Sequence, residues 1–118
     1  MSNQDEINAI ERTVKDAKEQ KALGTALERL ITNRDFQKVI KQGYFEAEAV
    51  RLVHAKGDPA CQTPEKQASI IRQMDSISNL NQYFQTILHA AGLADKSIEE
   101  GEATLEEMRD ESTTKGGE

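Results

Sequence analysis

Tryptophan is missing from this chain, and the sequence is nearly without cysteine and proline: one Cys and two Pro in 118 residues. A lone cysteine, Cys61, forms no internal disulfide and suits a reducing compartment. It falls in residues 57–63, a loop bounded by Gly57 and Pro64, with no basic or histidine neighbour to activate it. It therefore reads as a small packing residue. The aromatics are only Phe36, Tyr44, Phe45, Tyr83 and Phe84, too few for one deep core. Helices that each bury a single stripe against a neighbour need far less. No apolar run approaches the ~20 residues of a membrane span, and the first residues lack the basic and apolar regions of a secretory leader. A soluble, cytoplasmic protein without a membrane partner is expected.

Catalytic and metal-binding chemistry is equally short of raw material. His54 and His89 are the only imidazoles, and no H-x-x-x-H or E-x-x-H pair exists. Glu46 and Glu48 are two residues apart and face different sides of a helix, so they form no general acid/base couple. No nucleophile, base and orienting group can be assembled. Neither an enzyme nor a bound cofactor or metal is expected.

What the chain does have is charge and helical periodicity. Of 21 acids and 15 bases, nine and three fall after Ala94, so the net charge of −6 sits in the last fifth and residues 1–94 sum to zero. Ser2 or Asn3 as N-cap, with Asp5 and Glu6 in the first turn, opens a helix. Ile7, Ile10, Val14 and Ala17 give it a seam. The phase then slips to Leu23, Ala26, Leu27, Leu30 and Ile31 across Gly24, and one long helix over 4–32 is the favoured reading. Asn33 can end it and start the next, over 35–42, which Gly43 terminates. A third helix over 44–56 carries Phe45, Ala49, Val50, Leu52 and Val53, with Gly57 as its stop.

Thr63-Pro64-Glu65 is the clearest local signal: an N-cap, a proline at the first helical position and an acid facing the dipole. From there Ile70, Met74, Ile77, Leu80, Phe84, Ile87, Leu88 and Ala91 predict a helix over 64–91 ended or weakened by Gly92. Residues 95–118 read as a marginal acidic helix and a disordered tail from 111. The fold class expected is all-α: a long helical hairpin or small bundle with coiled-coil character and an acidic C-terminal tail. The two long helices pack antiparallel and the short pair caps them.

Three surfaces could carry function. The first is apolar: Phe36, Tyr44 and Phe45 with the long seam Ile70, Met74, Ile77, Leu80, Phe84, Ile87 and Leu88, which exceeds what the rest of the chain readily covers. It is a candidate for docking a protein or for self-association into an oligomer. The second is acidic, Glu99, Glu100, Glu102, Glu106, Glu107, Asp110 and Glu111, either a solvated face or a mimic of nucleic-acid charge that blocks a host enzyme. The third is basic, Arg29, Arg34, Lys38, Lys41, Arg51 and Lys56, a nucleic-acid contact in principle, though the overall negative charge makes nucleic acid an unfavoured partner.

The stretch Leu27-Glu28-Arg29-Leu30, then Asn33-Arg34-Asp35-Phe36-Gln37-Lys38-Val39-Ile40-Lys41-Gln42-Gly43-Tyr44-Phe45 and Glu48-Ala49-Val50-Arg51-Leu52-Val53, resembles small helical proteins of tailed bacteriophages. Thr63-Pro64-Glu65-Lys66-Gln67 and Ile70-Ile71-Arg72 continue the likeness, which covers about residues 20–110. It brings no site residues with it. What it implies is a bacteriophage setting, in the host cytoplasm or the virion, with an assembly, scaffold-like or virion-associated role. The leading expectation is thus a non-enzymatic helical protein–protein interaction or assembly protein. Its alternatives are the acidic inhibitor and a nucleic-acid-binding accessory protein.

Overall fold

The computed structural model describes residues 2–116, and side chains from 2 to 111. Among the described residues all regular structure is helical: α1 (Asn3–Ile31), α2 (Arg34–Phe36), a π-helix (Gln37–Glu48), α3 (Ala49–Gly57), a 3-10 turn (Pro59–Cys61) and α4 (Pro64–Gly116). Phe36, Gln37, Glu48 and Ala49 all hold right-handed helical dihedrals, so α2, the π-helix and α3 run on as one rod. The caps fall where the side chains demand. Ser2 Oγ accepts from Asp5 N at 3.2 Å, Asn33 Oδ1 from Phe36 N at 3.0 Å and Thr63 Oγ1 from Lys66 N at 3.3 Å, each satisfying an amide that the first turn leaves orphaned. Asp58 holds the 3-10 turn through Ala60 N at 2.9 Å.

Two helix boundaries differ from the sequence reading. Gly43 does not end a helix over 35–42, and Gly92 does not end one over 64–91. Both are interior to longer helices, and no glycine among the described residues takes a positive φ, so neither supplies the left-handed stop that terminates a helix. α4 therefore continues through the acidic stretch to Gly116. Of the disordered tail expected over 111–118, the backbone of 111–116 is helical, side chains from 112 onward lie outside the described ones, and Gly117 and Glu118 lie outside the described residues altogether.

The chain folds as two compact units. The first joins the α1 residues up to Ala26 to the residues from Ile87 onward. Its core is Ile7, Val14 and Leu105, with Ile10 and Met108 packed against them. The α1 seam keeps its phase through Ala17, Gly24 and Leu27, all buried, and the expected slip is absent: Leu23 is 49% exposed. Ala91, Ala94, Ile98, Gly101, Leu105 and Met108 step by three and four, carrying α4's heptad seam beyond Ala91 with small residues at three of the six positions. α1 runs antiparallel to this part of α4, since Glu11 meets Arg109, Lys18 meets Glu102 and Lys21 meets Asp95. Small residues are required at the contact: a Cβ on Gly24 would overlap Ala91 Cβ, and one on Gly101 would overlap Val14 Cγ2.

The second unit, Leu27–Thr86, is centred on Leu52, whose side chain is fully buried, with Ile70 and Ile77. Tyr44, Phe45, Ala49, Ala55, Cys61 and Met74 pack around them. The five aromatics gather here in one cluster. Phe84 meets Phe36 at 5.9 Å and Phe45 at 6.0 Å between ring centroids, and Tyr83 and Tyr44 join at its edges. This explains the π-helix. Phe36 and Phe45 are nine residues apart, two and a half turns at 3.6 residues per turn, so a straight α-helix would place them on opposite faces. With i→i+5 bonding a turn takes about 4.4 residues, and nine residues make about two turns. The wide helix is the conformation that brings both rings to Phe84.

Candidate docking groove

Of the apolar residues proposed from sequence as a docking surface, Ile70, Ile77 and Ile87 are buried, and Phe36, Tyr44, Phe45, Met74, Leu80, Phe84 and Leu88 are half-buried. Within the second unit the stretch from Ile70 to Phe84 packs against the rod of α2, the π-helix and α3, and Phe45, Met74 and Ile77 also line the groove described below. The acidic residues Glu99, Glu100, Glu102, Glu106, Glu107, Asp110 and Glu111 are exposed on α4. Glu102 accepts an ion pair from Lys18 at 2.9 Å, and Lys96 lies 3.9 Å from Glu100.

One opening lies in the second unit, where α3 and the end of the π-helix lie along α4. The two flanks of this contact differ. On one, Arg51 binds the Glu48 carboxylate through Nε, 3.1 Å from both oxygens, and through Nη2, and it reaches Gln73 Oε1 at 3.5 Å. The guanidinium holds the Glu48 carboxyl below its ordinary range by hydrogen bonding first and charge second, and the carboxylate in turn raises Arg51. This flank is therefore polar: an ion pair within one rod and one contact, Arg51 to Gln73, across the helix pair.

The other flank is a groove of about 340 Å³ lined by Phe45, Ala49, Val53, Met74, Ile77, Ser78 and Asn81. No charged side chain lines it. Val53 is 60% exposed at its wall, Val50 one turn before it is 56% exposed, and Ile71, on the α4 stripe of Met74 and Ser78, is 45% exposed. The sequence reading put Val50, Leu52 and Val53 in one apolar set on the third helix. On a helix Val50 and Val53 share a face while Leu52 lies on nearly the opposite side, so only one face can point inward, and it is that of Leu52.

A larger opening in the first unit, about 560 Å³, is of another kind. Val14 and Leu105 floor it, and Glu11, Lys18, Glu102, Glu106, Arg109 and Asp110 surround them. Arg109 donates to Glu11 at 2.8 Å and Lys18 to Glu102, so it is the solvated margin of the ion-paired seam. It holds no cysteine or histidine. Among the described residues no three His, Cys, Asp or Glu gather as metal ligands, and no helix is long and apolar enough to cross a membrane. No family model matches the chain, and neither a curated protein nor a solved structure does.

Proposed function

We propose that the protein is a non-enzymatic helical interaction or assembly protein that works through the uncharged groove between α3 and α4. The observation that carries this reading is the asymmetry of the helix pair: one flank is polar, with Arg51 on Glu48 and Gln73, while the other leaves Val50, Val53 and Ile71 in water around an apolar floor. Exposed large apolar residues around a groove mark a place where protein surface is recognised. The bacteriophage resemblance supports a scaffold-like or virion-associated setting for that recognition. A photo-crosslinker at Ser78, on the groove wall, tests it in the native cell. One or a few discrete protein adducts, absent when Val53→Glu is introduced, are expected. A crosslinking pattern no different from that of a probe at Glu99 on the acidic face refutes the groove.

A second reading rests on α4 itself. Its carboxylates Glu99, Glu106 and Asp110 and their neighbours Glu100, Glu107 and Glu111 are carried on a continuous helix and not on a loose tail. A rod of carboxylates supports a nucleic-acid mimic that occupies a basic cleft. Replacing Glu99, Glu106 and Asp110 by Gln would then abolish inhibition and flatten its salt dependence.

A further inference from the structure

We propose that the groove beside Phe45 and Met74 is a self-association surface, occupied by the same groove of a second copy so that two helix pairs close into a four-helix bundle. The proposal rests on the interaction reading above and names the partner. Two helices packed side by side bury one stripe each and leave two flanks. Arg51, Glu48 and Gln73 make one of them polar, and covering the other, apolar one with a second antiparallel pair is how helices commonly complete a core.

Charge fits a two-fold pairing. Glu46 follows Phe45, Asp75 follows Met74, and Lys41 lies four residues before Phe45. All three are exposed and none makes an ion pair among the described residues. In an isologous contact residue i meets j and j meets i, so an uncharged centre with both signs at its rim can answer itself: Lys41 of one copy faces a carboxylate of the other. A rim of one sign would instead repel its own image.

Sedimentation and light scattering of the full chain decide it, from about 1 to 100 μM. The expected result is a dimer whose midpoint concentration rises at least about tenfold in Val53→Glu, since an unpaired carboxylate would be desolvated there. Ser78→Arg on the facing wall should do the same. Val39→Glu, at a valine 63% exposed but outside the groove, should leave the midpoint unchanged, with helix content equal in all four proteins by circular dichroism. A monomer at every concentration, or a dimer that Val39→Glu disrupts as strongly as Val53→Glu, overturns the proposal. A monomer whose Ser78 probe still crosslinks a different protein sinks only the second copy. A monomer that crosslinks nothing discrete sinks the interaction reading with it.

Discussion

At the scale of single residues the glycines divide by what their missing Cβ would meet. A helical glycine costs about 1 kcal/mol relative to alanine, and on that ground alone every Gly→Ala change in these helices should stabilise. Gly92 obeys: nothing lies within 4 Å of a Cβ built there, so Gly92→Ala should gain about 1 kcal/mol. Gly24 should do the opposite. Its added methyl would overlap Ala91 Cβ, which is attached directly to helix backbone and cannot swing aside, and such overpacking costs about 1–3 kcal/mol. Urea denaturation of the two variants should therefore move the midpoint in opposite directions. Equal stabilisation by both would mean that α1 and α4 do not approach as closely as described. The pair also shows what sequence alone conceals. Gly24 and Gly92 look alike as helix weakeners, and only the register of two helices distant in sequence makes one a packing residue.

At the scale of elements, two devices set how the rods pair. One is the π-helix, held by the demand of Phe84 for both Phe36 and Phe45. Phe84→Ala removes that demand, and Gln37–Glu48 should relax toward α-helical bonding. Hydrogen-bond couplings in NMR would then report i→i−4 pairing in place of i→i−5, and unchanged i→i−5 couplings would show that something else holds the wide turn. The other device is the charge ladder Glu11–Arg109 and Lys18–Glu102. A slip of one heptad in one direction brings Lys18 to Arg109, and in the other it brings Glu11 to Glu102 but also Lys18 to Asp95, so like charges guard the register against the first slip. Each exposed pair contributes only about 0.2–1 kcal/mol. Lys18→Glu should cost about that much, and Glu102→Lys in the same chain should restore it, in a double-mutant cycle by thermal denaturation. The existence of the long helices and their caps was legible, because Ser2, Asn33, Thr63 and Pro64 signal locally and Ile7 to Ala17 and Ile70 to Ala91 repeat cleanly. The continuation past Ala91 was not, because Ala94 and Gly101 occupy seam positions without looking apolar enough to mark them.

At the scale of the whole molecule, charge is divided between the units more sharply than the sequence ends suggest. The first unit has fourteen acids and seven bases, the second seven and eight, so the body read as neutral over 1–94 is cut across by the fold and not by the chain. The groove, the feature offered here for function, lies wholly in the nearly neutral unit. Phe45, Met74 and Ile77 of its lining were among the apolar residues singled out from the sequence; its Val53 wall was not legible, because which face of α3 turns inward depends on contacts with α4 distant in sequence. The division also predicts how stability follows pH. From pH 7 toward the isoelectric point near 5.0, the first unit loses like-charge repulsion, so stability should hold or rise. Below that the Glu48 contact fails. Its carboxyl titrates below the ordinary 4.5 because Arg51 binds the charged form. Its contribution is therefore present above 4.5 and disappears as pH falls through the depressed value. On the alkaline side Lys21 titrates above its ordinary 10.5 because Asp95 accepts its hydrogen bond and stabilises its charge, so that contribution is full below 10.5 and goes as pH rises beyond the raised value. Thermal melts in steps of pH should give a broad plateau with both shoulders, the acid shoulder shallower in Glu48→Gln and the alkaline one shallower in Lys21→Gln. An acid shoulder indifferent to Glu48→Gln would show that the polar flank of the helix pair is held by Leu52 and its apolar neighbours alone.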